Sequence, residues 1–135
     1  MDIVDKATRS RMMAAVKGKN TVPELAVRRI AHAMGLRFRL HRKDLPGRPD
    51  IVLPRHRAVI EVRGCFWHRH DGCKRCTTPA TRPEFWAKKF AANVARDEKN
   101  HLALIGSGWR VLVVWECETG DATLVRKRIL GFLKS

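Results

Sequence analysis

Residues 45–63 read "LPGRPDIVLPRHRAVIEVR", and the fold turns on them. Ile51–Leu53 and Ala58–Val62 are short apolar runs bounded by Pro and basic residues, which predicts two strands joined by the loop "PRHR" at 54–57. "LPGRPD" in front of them is a turn by its Pro and Gly content. Pairing as a hairpin would bring Asp50, at the mouth of the first strand, and Glu61, near the end of the second, to one end of a sheet. Side chains alternate along a strand, so Arg63 shares the face of Glu61. Two acids and a cation meeting there would suit a Mg²⁺ site completed by phosphate oxygens. The bland alternative is that Glu61 and Arg63 are solvated residues at a strand end.

Upstream, "TVPE" at 21–24 is a capping box, and Val22, Ala26, Ile30 and Ala33 recur at helical spacing until Gly35. Leu36, Phe38 and Leu40 alternate with Arg37 and Arg39, which predicts a strand with one wet, basic face. Downstream, "TRPE" at 81–84 repeats the capping-box pattern and opens a helix to about Ile105. "WRVLVVW" at 109–115 is continuously apolar and is expected to be a central strand. Asp121 can cap a last helix whose buried side carries Val125, Ile129, Phe132 and Leu133. The expected fold is therefore α/β, in the order α-β-β-β-α-β-α around one mixed sheet. Residues 1–20 carry Lys6, Arg9, Arg11, Lys17 and Lys19 with little apolar periodicity and read as a basic arm. Residues 21–135 read as a single domain.

Composition narrows the partners. With 135 residues and 44% hydrophobic content the chain is long and apolar enough for one real core. Its 28 Lys and Arg stand against 13 Asp and Glu, a formal charge of +15 that needs a polyanion, by default nucleic acid. No apolar run is long enough for a membrane span, and no signal-peptide pattern opens the chain, so a cytoplasmic location is expected. No obvious dimerisation helix stands out, so a monomer is expected. Four cysteines without an export signal argue for metal rather than disulfides.

The cysteines point to one loop. In "VRGCFWHRHDGC" (62–73), Cys65, His70 and Cys73 have the character of most of a structural zinc site. Cys117 could return in space as fourth ligand, with Cys76 as a local rival. Phe66 and Trp67 lie between Cys65 and His68, on a metal-pinned loop where both are expected to be exposed; Trp86 could join them. Exposed aromatics of this kind can wedge between base pairs. Farther on, Asp97 falls on the inward stripe of its helix with Asn93 one turn earlier. An Asp behind the His68 imidazole would fix its tautomer and support it as a base. The alternative, a surface pairing of Asp97, would need that helix rotated away from its own apolar stripe.

The stretches "DKATRSRMM", "LPGRPDIVL", "GCFWHRH", "PATRPEFW", "NVARD" and "GWRVLVVWEC" occur in order from about Asp5 to Cys117 and resemble the very-short-patch repair (Vsr) endonucleases, within the wider PD-(D/E)xK nucleases. The resemblance implies a restriction-endonuclease-like fold. It implies a Mg²⁺-dependent nick beside the T of a T:G mismatch, such as arises from 5-methylcytosine deamination. Duplex DNA would be the substrate, and mismatch-repair proteins the partners. By position, the metal-binding Asp falls on Asp50, the general-base His on His68 and its supporting Asp on Asp97. Structural zinc falls on Cys65, His70, Cys73 and Cys117, the intercalating aromatics on Phe66, Trp67 and Trp86, and an acidic residue near the catalytic centre on Glu24. Glu61 and Arg63 depart from the best-described members. Arg63 stays protonated and cannot be a base, but it can steady charge on a phosphorane-like transition state. A restriction-type nuclease of the same fold and a zinc-stabilised DNA-binding protein without catalysis are the competing readings.

Overall fold

A computed structural model describes residues 20–135. The expected basic arm, with Lys6, Arg9 and Arg11, lies outside the described residues apart from Asn20. Three helices and four strands follow in chain order: α1 (Val22–Ala33), β1 (Arg39–Leu40), β2 (Ile51–Leu53), β3 (Ala58–Arg63), α2 (Pro83–Gly106), β4 (Arg110–Trp115) and α3 (Ala122–Lys134). The α-β-β-β-α-β-α order is as expected. The sheet is mixed, with β1, β2 and β3 antiparallel in succession and β4 parallel to β3.

The hairpin that decides the fold forms because Pro54–His56 makes one turn of 3-10 helix and Arg57 reverses the chain with φ at +47°. Ile51 then faces Ile60, and Leu53 faces Ala58. Every residue of β2 is buried, because helices cover both faces of the sheet. On one face α1 and α3 bring Val27, Val125 and Ile129 against Ile51, Leu53, Ile60 and Val114. On the other, Leu104 of α2 packs with Val52, Val59, Leu45 and Trp109. Each fully buried Val, Leu or Ile contributes roughly 1.5–3 kcal/mol, so this three-layer sandwich fixes the strand ends that carry the chemistry.

Three details depart from expectation. Among the described residues β4 lies at an edge of the sheet, in the order β1-β2-β3-β4, and is not central. Its apolar run is explained by packing on both sides, through Leu112 and Val114 on one face and Val111 on the other. β1 has two residues instead of five; Leu36 and Phe38 pack against the core from an irregular segment. Finally, "TRPE" makes no capping box. α2 starts at Pro83 with left-handed Arg82 at the N-cap and no side-chain cap, so Thr81 is one residue out of register. Arg82 lies over the Phe85 ring instead, 4.5 Å from its centroid.

Candidate active site

Thr21 caps α1 as expected, its Oγ1 accepting from the Glu24 N–H at 3.4 Å. The reciprocal half of the box is modified. Glu24 Oε2 accepts from the Asn20 N–H at 3.1 Å and from Arg28, which lets Oε1 point across to the end of β2. Glu24 is only 2% exposed, the one buried charged residue among those described. An ionised carboxylate so deep needs partners, and these are Asn20, Arg28 and His41.

Asp50 stands where β2 begins. Its Oδ2 accepts from the Val62 N–H at 2.7 Å across the hairpin, so β3 holds the carboxylate by its backbone. Burial, and then the adjoining Glu24, push Asp50 up to about 8. Burial acts on Glu24 in the same sense, but its hydrogen bonds to Asp50 and His41 and the charge of Arg28 outweigh it and leave Glu24 below the usual carboxylate range. The two carboxyl groups are coupled and crowded together, and a cation between them would relieve their mutual repulsion.

The cluster around Asp50 is Glu24, His41 and Asp50, whose ligand atoms all lie within 4.8 Å of one another. Glu61 lines the same cavity but stands outside that cluster. Its Oε2 accepts from Arg63 Nε at 3.2 Å and Nη2 at 2.7 Å. The alternation along β3 does put Glu61 and Arg63 together, and they pair with each other. His41 was not singled out by the sequence, where it follows "FRL" without any motif; its position depends on the chain reversal after β1.

The cavity holds about 820 Å³, and Asp50, Glu24, His68 and Asp97 all line it, with Arg63, Lys89 and Arg96 supplying positive charge. His68 Nδ1 lies 2.6 Å from Asp97 Oδ2, joining the loop after β3 to the middle of α2. That contact is the imidazole–carboxylate pair that the stripe on α2 predicts. Asn93, one turn earlier, donates from Nδ2 to the Trp67 carbonyl at 3.2 Å and ties the same loop to the same helix.

Beside this cavity, Cys65, His70, Cys73 and Cys117 bring their ligand atoms within 4.8 Å of one another and could hold a metal ion. His70 Nδ1 is 3.6 Å from Cys65 Sγ and 3.5 Å from Cys117 Sγ. Cys117 reaches the cluster because β4 runs parallel to β3 and delivers the turn Glu116–Glu118 next to the loop. Cys76 does not join; its backbone N–H bonds the Cys73 carbonyl, closing a turn. The His70 ring stacks on Trp115 at 4.2 Å and 8°. Burial, with neighbouring thiols, pushes Cys65 up to about 12, whereas backbone N–H groups at Arg75, and contacts with Cys65 and Cys117, lower Cys73. Glu116, missed by sequence reasoning, accepts from the Cys65 N–H at 3.3 Å. Its place beside Cys117 is the only signal it gives.

The aromatic residues form a cluster of their own. Phe66 meets Trp67, Trp86 and Phe90 edge-on at 5.0, 5.7 and 5.2 Å, and Trp86 stacks on Phe90 at 5.5 Å. The expectation that Phe66 and Trp67 both stand exposed is corrected: Trp67 is 7% exposed, while Phe66 and Trp86 are half-buried. The reason is α2, whose Trp86 and Phe90 offer apolar area that the loop can cover. Arg69 caps the group, 4.0 Å from the Phe90 centroid.

Comparison with known proteins accords with this geometry. The family profile described as DNA mismatch endonuclease Vsr matches residues 1–75. A type II nicking enzyme, V.XorIIP of Xanthomonas oryzae pv. oryzae, is 48% identical over 98% of this chain and 96% of its own. The DNA mismatch endonuclease Vsr of Escherichia coli K12 is 47% identical over 86% of this chain and 74% of its own. Among solved structures, the catalytic domain of the homing endonuclease I-Bth0305I superposes with a TM-score of 0.59 at 24% identity, covering 84% of this chain and 94% of that one, a likeness of fold. An endonuclease-like α/β sandwich and relatives so similar over nearly the whole chain leave one conclusion: the chain is a DNA endonuclease that belongs to the DNA mismatch endonuclease Vsr family.

Proposed function

We propose that the protein nicks one strand of duplex DNA beside the T of a T:G mismatch, the lesion left by deamination of 5-methylcytosine. The observation that carries the hydrolytic part of this reading is the His68–Asp97 pair, closed at 2.6 Å, in one cavity with Asp50. A carboxylate at Nδ1 holds the proton there, leaving Nε2 as the lone-pair nitrogen that takes a proton from water. The charge that develops on His68 is offset by Asp97. Asp50, with Glu24 beside it, fits Mg²⁺: the donors are hard oxygens that lie within 4.8 Å of one another. When bound, the cation neutralises charge on the scissile phosphate. Arg63, held by Glu61, presents a permanent positive charge to the same phosphate.

The Cys/His cluster fits Zn²⁺. A tetrahedral ion with zinc-length bonds to sulfur and nitrogen separates those two atoms by about 3.6 Å, and the observed separations are 3.5 and 3.6 Å. In this reading the zinc is structural and holds Phe66, Trp67 and His68 in place. The aromatic cluster of Phe66, Trp67 and Trp86 opens the stack at the mismatch. A T:G wobble pair stacks less well than a normal pair, so it yields at lower cost.

The test uses end-labelled duplexes with T:G, other mismatches or full complementarity, incubated with Mg²⁺, and maps the cut. A nick on the T-bearing strand of the T:G duplex alone is expected. Equal cleavage of matched duplex, or cutting of both strands, would support a restriction-type activity instead. A protein that binds all of them and cuts none would be a DNA-binding module.

A further inference from the structure

His41 follows directly after β1 and has φ at +47°, in the left-handed region that a side chain with a Cβ seldom adopts. Such conformations persist where the surroundings fix them, and they concentrate at functional sites. Here the effect is to bring the imidazole to the two carboxylates. Nε2 lies 2.9 Å from Glu24 Oε1 and 3.9 Å from Asp50 Oδ1. The second oxygen of each acid is already engaged, Glu24 Oε2 by the Asn20 N–H and Arg28, Asp50 Oδ2 by the Val62 N–H. One oxygen from each acid and one imidazole nitrogen are therefore left facing one another. Ligands of an octahedral ion with bonds near 2.1 Å stand from about 3 Å apart when adjacent to about 4.2 Å when opposite, and the 2.9 Å from His41 to Glu24 and 3.9 Å to Asp50 fall within that span. Glu24 and Asp50 line the cavity while His41 reaches them without lining it, so an ion among the three would keep its cavity side open to phosphate and water.

We propose that His41 is a nitrogen ligand of the divalent cation, completing with Glu24 and Asp50 a mixed nitrogen–oxygen set that favours Mn²⁺ or Co²⁺ over Mg²⁺. Imidazole suits the transition metals, whereas Mg²⁺ selects oxygen. The proposal rests on the reading of Asp50 as holder of the catalytic cation.

The probe is Mn²⁺ added to the zinc-loaded, full-length protein without DNA, read by pulsed electron paramagnetic resonance. Wild type should show nitrogen coupled to bound Mn²⁺. The coupling should survive His68→Gln and vanish in His41→Gln, which can keep a hydrogen bond to Glu24 but loses the ring nitrogen. Mn²⁺ affinity in His41→Gln should fall by about tenfold or more, and the preference for Mn²⁺ over Mg²⁺ should shrink with it. Bound Mn²⁺ with oxygen ligands alone in wild type, or coupling lost in His68→Gln, overturns the role of His41 and leaves that of Asp50 standing. Mn²⁺ binding unaltered by Asp50→Ala overturns both. The wild-type and His68→Gln spectra decide the matter even if His41→Gln does not fold.

Discussion

In the proposed reading Asp50 is the carboxyl group that carries the metal chemistry of the site. Its ordinary value of 3.8 is raised to about 8 by burial and by Glu24. A carboxyl raised in this way contributes stability below its unfolded value, and loses it as pH climbs through the folded one. Without a cation the native state is therefore weakened on the alkaline side, because Asp50 must ionise beside Glu24. If Asp50 holds a divalent ion, that ion competes with the proton, and the rise in melting temperature on adding Mg²⁺ should be larger near pH 8.5 than near pH 6.5. Proton competition weakens cation affinity by up to about tenfold for each unit below the folded pKa. Asp50→Ala should remove both the Mg²⁺ shift and its pH dependence, and should abolish nicking while mismatch binding persists. An equal Mg²⁺ shift at the two pH values, or near-normal turnover in Asp50→Ala, would contradict the assignment. Glu61→Ala should leave the Mg²⁺ titration of cleavage unchanged, because Glu61 is held by Arg63 and not by the Asp50 cluster. A sharply raised Mg²⁺ requirement would return it to the metal. Asp50 could be read from "GRPD" because a short strand follows it. His41 could not, since its role depends on one left-handed residue and on a contact 17 positions away.

Single elements show why some features were legible and others were not. The hairpin of β2 and β3 was readable because its pairing is local, with only a short turn between the strands. The place of β4 was not: an apolar strand between two helical layers looks the same in sequence whether a further strand lies beside it or not. The cap of α2 is ambiguous in sequence because Pro83 can stand at either of the first helical positions, which moves the cap by one residue. The pair of His68 and Asp97 was legible because the apolar stripe of α2 defines an inward face. Glu24, by contrast, was legible only through family resemblance, since its capping role alone would have placed it on the surface. The loop between β3 and α2 contains no helix or strand, so its order must come from elsewhere. A structural zinc site contributes roughly 10–16 kcal/mol of apparent binding free energy, comparable with the entire stability of a domain. Cys117→Ser should therefore lose bound zinc, measured by elemental analysis, and lower the melting temperature sharply. Cys76→Ser should alter neither, because Cys76 stands outside the cluster. The opposite pattern would make Cys76 the fourth ligand.

At the scale of the whole molecule, two kinds of DNA binding should be separable. A net charge of +15 draws any duplex by releasing counterions, a term that carries no information about mismatches. Arg96 and Lys89 line the cavity that holds Asp50 and His68, and Arg96 is exposed. Arg96→Gln should therefore weaken matched and T:G duplex alike, and reduce the slope of log affinity against log salt by about one. The aromatic cluster should behave in the opposite way. Phe66 is half-buried, and removing its ring leaves the charge of the molecule unchanged. Phe66→Ala should weaken T:G binding by about 1–3 kcal/mol, the scale of one base–aromatic stack, and should leave the salt slope and the matched duplex almost untouched. Trp67→Ala is the less clean probe, because at 7% exposure its loss also opens a hole between the loop and α2. Titrations at several salt concentrations, on matched and mismatched duplexes, provide both readouts from one experiment. If Phe66→Ala lowered affinity for both duplexes equally, or changed only the melting temperature, the aromatic cluster would be a packing device between the Cys/His loop and α2. Mismatch discrimination would then have to arise elsewhere in the cavity.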